Sequence, residues 1–149
     1  MNLIIKQATL EDLAQVAELF NAYRVFYKQK TDLELAMKFI SERIKSEESV
    51  VFLAQDENQD GLGFTQLYPT FSSVSAQSSW VLNDLYVSEN ARNIGVGREL
   101  MEAARTFVIQ TGANGISLET AEDNINAQSL YESLGYKRRL GYYTYFLNL

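Results

Sequence analysis

The stretch Leu85-Tyr86-Val87-Ser88-Glu89-Asn90-Ala91-Arg92-Asn93-Ile94-Gly95-Val96-Gly97-Arg98 has the ingredients of an anion site. A run of strand formers enters a loop, and paired glycines then open a helix. A helix start carries N–H groups without intrahelical acceptors and the positive end of the macrodipole. Glycines there let the backbone approach a phosphate closely. Arg92 and Arg98 flank the turn and can add charge-assisted bonds, although Arg98 is equally suited to a solvated first-turn position. Two better-known phosphate motifs fail: no Gly-Lys-Ser/Thr ending follows, and Leu100 stands where the third glycine of a dinucleotide fingerprint would be.

Acid–base chemistry must come from a short inventory. The chain has neither histidine nor cysteine. That removes Ser-His-Asp and Cys-His machinery, thiolate nucleophiles, disulfides and Cys-based zinc sites. No metal-ligand set is read. Asp, Glu, Tyr, Lys, a terminus or water remain. Asp84 interrupts an apolar-aromatic strand, and Glu119 sits among apolar neighbours in Ile116-Ser117-Leu118-Glu119-Thr120. A carboxylate held among apolar groups is drawn toward its protonated form, which suits a base. Each could instead make structural bonds to backbone or arginine. Tyr131 offers a phenol of unperturbed pKa near ~10; otherwise it is a helix-face aromatic. Residues 61 to 83 include no charged side chain yet contain Phe64, Tyr68, Phe71 and Trp80, and Tyr23, Phe26 and Tyr27 end a helix. These rings are either core or the wall of a cleft, in which Tyr23, Tyr27, Tyr68 and Trp80 would touch a substrate.

The elements that must position these residues follow from periodicity and turn signals. Leu3 to Gln7 reads as a strand. Thr9-Leu10-Glu11-Asp12 is a capping signal for a helix to about Tyr27, and Thr31-Asp32-Leu33-Glu34 starts a second helix with Leu33, Met37, Ile40 and Ile44 on one stripe. Val50 to Ala54 and Gly63 to Tyr68 read as a hairpin, followed by a serine-rich loop over Pro69 to Ser78 and a strand over Trp80 to Val87. A helix spans Gly95 to Thr111, a strand Ile116 to Thr120, a short helix Asn124 to Leu134, and a last strand Tyr142 to Leu147, with a further short strand at Tyr136 to Arg138. Strands interleaved with helices predict a mixed α/β sheet covered on both faces.

A second motif follows the glycine turn: Asn124, Ala127, Leu130, Tyr131, Gly135 and Tyr136 fit Asn-x-x-Ala-x-x-Leu-Tyr-x-x-x-Gly-Phe/Tyr. With Arg92, Gly95 and Gly97 in Arg/Gln-x-x-Gly-x-Gly/Ala, the pair resembles the GNAT superfamily of acyl-CoA-dependent N-acyltransferases. The narrower resemblance, through residues 23–27, 67–69 and 82–87, is to fungal histone/polyamine and amino-acid acetyltransferases. The resemblance implies a GNAT-like fold, a twisted mixed sheet of six to seven strands split at its middle, with about four helices. It implies acetyl-CoA as cofactor, with its pyrophosphate on the N–H groups of Arg92, Asn93, Ile94, Gly95, Val96 and Gly97, and Arg98 near a phosphate. The pantetheine arm would pair with backbone at Leu85, Tyr86 and Val87 as an added strand does. Asn124 would bond that arm, Ala127 belongs to the same motif, and Tyr131 would stand near the sulfur as the acid. Asp84, Glu119 or a water would be the base.

Length and charge set the outer limits. The 149 residues, 46% hydrophobic and 21% charged, suit one domain over 1–149 with a sizeable core. A net charge of −6 disfavours nucleic-acid binding. No run is long enough to span a bilayer and no signal segment is read, so a cytoplasmic protein is expected. The expected activity is direct N-acetyl transfer to a primary amine on a small molecule or peptide. The alternative is a non-catalytic acyl-CoA-binding or sensing module. The aromatic last strand offers an edge for pairing with a second subunit, a homodimer.

Overall fold

The computed structural model describes residues 2–149. The chain divides after Leu118 into two compact units, the second being Glu119–Leu149. The first unit opens with β1 (Ile4–Gln7). The Thr9 hydroxyl accepts from the Glu11 N–H, and the Asp12 carboxylate accepts from the Thr9 N–H at 2.9 Å, so the expected capping box forms. It caps one 3-10 turn, Leu10–Asp12, and α1 (Leu13–Phe26) follows directly. In α2 (Leu33–Lys45) the cap is Asp32, which accepts from the Leu35 N–H at 3.1 Å. Leu33 and Met37 lie largely exposed, while Ala36 and Ile40 carry the buried stripe.

Next come β2 (Val50–Gln55), β3 (Gly61–Ser72) and β4 (Gln77–Val87). Then α3 (Val96–Thr111) crosses to β5 (Ile116–Ser117). The sheet order is β1-β2-β3-β4-β5, antiparallel except for the parallel β4–β5 pair. Strand alternation divides the side chains between two faces. Val51, Leu53 and Phe64 join Val16, Ala17 and Phe20 of α1 and Ala36 and Ile40 of α2 in one core. Phe52 turns the other way, onto Phe107 of α3, with ring centroids 5.8 Å apart. Val96, Leu100, Met101, Ala104 and Val108 bury the inner side of α3. Helices therefore cover both faces, each buried large apolar side chain stabilising by roughly 1.5–3 kcal/mol.

Three features differ from the sequence expectation. The β3–β4 hairpin is longer: the serine-rich stretch stays paired as far as Ser72↔Gln77. Pro69 is tolerated within β3 because the last β2 partner is Val50, opposite Leu67, so β3 has one neighbour there and not two. The strand expected to Thr120 stops at Ser117. Among the described residues the sheet has five strands, not six to seven, because neither Tyr136 to Arg138 nor Tyr142 to Leu147 forms one. In the second unit α4 (Ile125–Ser133) ends before Gly135, which adopts φ +94°. Residues 137–149 beyond it are exposed and pair with no strand. Aromatic residues favour a pleated, half-buried surface, but a strand also needs a neighbour for its N–H and C=O groups. Among the described residues the α-helices number four, as expected, and no helix is long and apolar enough to cross a membrane.

Candidate active site

The decisive local feature is a β-bulge at Asn83. Leu67 faces Leu82 and Gln66 faces Asp84, so β4 carries one extra residue between them. Upstream of the bulge Trp80 turns toward α3, its ring 5.1 Å from that of Phe107 and its Nε1–H donating to Thr111 Oγ1 at 3.3 Å. Plain alternation would send Asp84 and Tyr86 the same way. The extra residue reverses the phase, and Asp84 and Tyr86 face α1 instead. Tyr86 packs against the α1–α2 core.

Asp84 is only 2% exposed. Its Oδ2 accepts from Gln66 Nε2 at 2.6 Å and its Oδ1 from Asn83 Nδ2 at 2.7 Å. The Tyr23 hydroxyl, from α1, donates to the Asn83 carbonyl at 3.3 Å. Burial raises the Asp84 pKa, and the hydrogen bonds from Asn83, Gln66 and Tyr23 oppose that rise without cancelling it. Tyr68, half-buried, is pushed up to about 12 by its own burial and by the Asp84 carboxylate, with Arg43 of α2 pulling the other way. A buried carboxylate of raised pKa thus sits among tyrosines on the α1 face. The rings of Tyr23 and Tyr27 stand 5.0 Å apart, and Tyr27 is 54% exposed, so the cluster reaches solvent at the end of α1.

The glycine turn lies at the far end of β4. Asn93 and Gly95 both take positive φ, +65° and +90°, and Gly95 caps α3 with no side-chain hydrogen bond. A Cβ on Gly95 would meet nothing within 4 Å, so open space faces the helix start. The edge of β4 beside it is also open. β5 pairs only with Trp80 and Val81, so among the described residues Leu82 to Val87 have no strand neighbour on that side. The Ser88 N–H donates to the Leu62 carbonyl at 2.9 Å, which marks that opposed pair as hydrogen-bonded. By antiparallel alternation Leu85 and Val87 then turn their N–H and C=O groups away from β3, toward the open edge. Arg92 sends Nε–H to the Val87 carbonyl at 2.9 Å and sets its guanidinium 5.9 Å from the Phe26 ring and 5.8 Å from the Tyr86 ring. Gly63 is needed for close approach: a Cβ there would meet the Tyr86 carbonyl at 2.6 Å and Val96 at 3.3 Å. An acyl-CoA fits this ground, with an open strand edge for its amide arm and an uncrowded helix start for phosphate.

The structure brings together Asp84, Tyr23, Tyr27 and Tyr68 on one face, and Leu85 to Val87 with Arg92 to Arg98 along one edge. It does not bring Trp80 to the aromatic wall, because that ring belongs to the α3 face. Glu119 is exposed and lies beyond the end of β5, so the apolar strand setting expected for it is absent. In the second unit Asn124 caps α4, its Oδ1 accepting from the Ala127 N–H at 3.2 Å. Tyr131 is half-buried on α4, its ring 6.2 Å from that of Tyr136. Sequence reasoning missed Gln66, Asn83 and Arg43. The available signal was a glutamine within an uncharged, strand-forming stretch, where an apolar residue is the default.

Comparison with known proteins accords with this geometry. The chain is 46% identical over 145 residues to the uncharacterized N-acetyltransferase YhfO of Bacillus subtilis (strain 168), covering 97% of each chain. It is 29% identical over 139 residues to the D-amino-acid N-acetyltransferase HPA3 of Saccharomyces cerevisiae, covering 91% of this chain and 85% of that protein. A crystal structure of a probable acetyltransferase superposes with a TM-score of 0.91 at 41% identity, covering 100% of this chain and 98% of that one. The yeast likeness is distant and does not establish membership of the fungal branch. Residues 13–136 match the acetyltransferase (GNAT) family as a whole. The chain belongs to that family and is an N-acetyltransferase.

Proposed function

We propose that this enzyme moves an acetyl group from acetyl-CoA directly to a small primary amine: a polyamine, an amino acid or an amino-terminal group. The observation that carries the reading is Asp84, a buried carboxylate turned by the Asn83 bulge onto the tyrosine-lined face beside an open β4 edge. An ammonium with a pKa near ~10 is inert at neutral pH until it loses a proton. Asp84 takes that proton, directly or through a water, and its raised pKa matches the task. The amine nitrogen then bonds to the acyl carbon as the carbon–sulfur bond breaks. The Val87 N–H, on the open edge, donates to the developing oxyanion. Tyr131 gives its hydroxyl proton to the departing sulfur. With no cysteine in the chain, no Cys-linked acyl-enzyme forms. The amino-acid member of the acceptor class gains weight from the name of the yeast relative. We assign the activity to the cytoplasm.

The test is thiol release from acetyl-CoA with a panel of spermidine, lysine, an aromatic amino acid, a D-amino acid, a basic peptide and glutamate, with products weighed by mass spectrometry. A mass gain of one acetyl group on a cationic or aromatic amine supports the proposal. Acetylation of glutamate in preference to the others overturns it.

A further inference from the structure

Gln66 is fully buried, at 0% exposure, in the middle of β3 and directly opposite Asp84. Its Nε2 donates to Asp84 Oδ2 at 2.6 Å, the shorter of the two amide bonds to that carboxylate. Its Oε1 is buried with no hydrogen-bond partner. An amide in such a place is costly, because its carbonyl end has lost water and gained nothing. A leucine or methionine would fill the same volume without that cost. The reason for an amide must therefore lie in its donor end. Rotating the amide would set Oε1 against the carboxylate, so an ionised Asp84 dictates the orientation in which Oε1 is left empty.

The two amides that grip Asp84 are not equivalent. Asn83 is exposed on the bulge, so water could replace its donor. Nothing from solvent can replace Gln66. Tyr23 of α1 and Tyr68 of β3 also face the carboxylate, with Arg43 of α2 near Tyr68. We infer that Gln66 is the positioning residue of the reaction: its amide holds the Asp84 carboxylate in one orientation and in the ionised form needed to accept the amine's proton. This rests on the reading of Asp84 as that acceptor. It adds a residue on β3, outside both sequence motifs, that sets the pH range of the enzyme.

The experiment follows the Asp84 carboxyl carbon by NMR through a pH titration in wild type, Gln66→Leu and Gln66→Glu, with no ligand present. The Leu change removes the donor, so the Asp84 midpoint should rise by roughly one unit. The Glu change keeps the shape and sets a second carboxylate against the first. The pair should then titrate in two steps, the upper one above the wild-type midpoint. In thiol-release assays with the best acceptor of the panel above, the acid limb of kcat/KM should move up with the NMR midpoint. Acetyl-CoA affinity by calorimetry should stay within a few-fold. The Glu variant keeps the test alive should the Leu variant not fold. An unmoved midpoint in a folded variant of either kind overturns the inference. A moved midpoint with an unmoved acid limb also overturns it, since the hold on Asp84 would then not serve the reaction. Full kcat in Asp84→Asn would instead remove the reading of Asp84 as base, a failure recognisable because it needs no Gln66 variant.

Discussion

Asp84 is where stability and activity pull apart. Its native pKa lies above the ordinary carboxylate value because burial outweighs the hydrogen bonds of Asn83, Gln66 and Tyr23. The native state therefore holds this proton more tightly than the unfolded chain does. The resulting stabilisation is complete below the ordinary carboxylate range and is lost as pH rises through the raised native value. Asp84→Asn removes a buried charge while keeping size and shape. Its Tm at pH 8 should be no lower than that of wild type, and its melting point should change less between pH 5 and pH 8. Turnover should fall by ~10²–10⁴-fold, the usual worth of a general base. Circular dichroism melts at the two pH values and a thiol-release assay check both halves. A destabilised Asn variant that retains full turnover would leave Asp84 a structural role only. Tyr131, the proposed acid, gives the complementary case. Tyr131→Phe keeps the ring and its packing beside Tyr136, so acetyl-CoA affinity should hold within a few-fold while kcat drops by ~10²–10⁴-fold. Calorimetry with single-turnover kinetics separates the two quantities. An untouched chemical rate would show that the hydroxyl does not donate to the sulfur.

Elements, more than single residues, decide which groups can meet. Gly63 lets the end of β4 and the start of α3 pack against β3, since a Cβ would lie 2.6 Å from the Tyr86 carbonyl. Gly63→Ala should cost about 1–3 kcal/mol through backbone displacement, read as a lower urea midpoint at unchanged m. Gly95 behaves differently. Space around it is open, so a new side chain meets no protein atom, but its φ of +90° resists a branched residue. Gly95→Val should weaken acetyl-CoA binding by orders of magnitude in a folded protein, and unchanged affinity by calorimetry would refute phosphate binding at this turn. These two glycines also show what a sequence exposes. The turn, the cap at Thr9, the helix start within Thr31 to Glu34, the four helices and the inner parts of the strands before Val87 were legible because capping, glycine punctuation and periodicity act within a few residues. The bulge at Asn83 was not, since it exists only as a mismatch between β3 and β4. Counted by simple alternation, Trp80 and Asp84 share a face; the pairing puts them on opposite faces. Likewise Tyr142 to Leu147 has strand-like composition, but composition cannot supply a neighbouring strand.

At the scale of the whole molecule the relevant quantity is charge. Nineteen acidic against thirteen basic residues give a net −6, and the field of such a surface draws cations toward it. On the proposed function the acceptor cluster would suit a cation: Asp84 is its buried carboxylate, and the rings of Tyr23, Tyr27 and Tyr68 belong to α1, its end and β3. Aromatic faces attract a cation by about 0.5–2 kcal/mol, depending on how far it is desolvated. On the proposed function two separate effects would favour a cationic acceptor, and they respond differently to salt. Long-range attraction is screened over ~10 Å at 0.1 M ionic strength. Contact with the rings and a buried carboxylate is screened far less. For spermidine, kcat/KM should fall several-fold as salt rises from 20 to about 300 mM, a range over which the Debye length shrinks to a few ångströms. For a monoamine such as an aromatic amino acid, whose zwitterion carries no net charge, the fall should be small. Tyr27→Ala should then raise the KM of both acceptors at every salt concentration while leaving that of acetyl-CoA nearly unchanged, because Tyr27 lies on the exposed end of the aromatic cluster and not along the open edge of β4. Equal effects on acceptor and acetyl-CoA would mean that the change loosens the fold instead. A salt slope as steep for the zwitterion as for spermidine would mean that the acidic surface serves solubility and takes no part in choosing the amine.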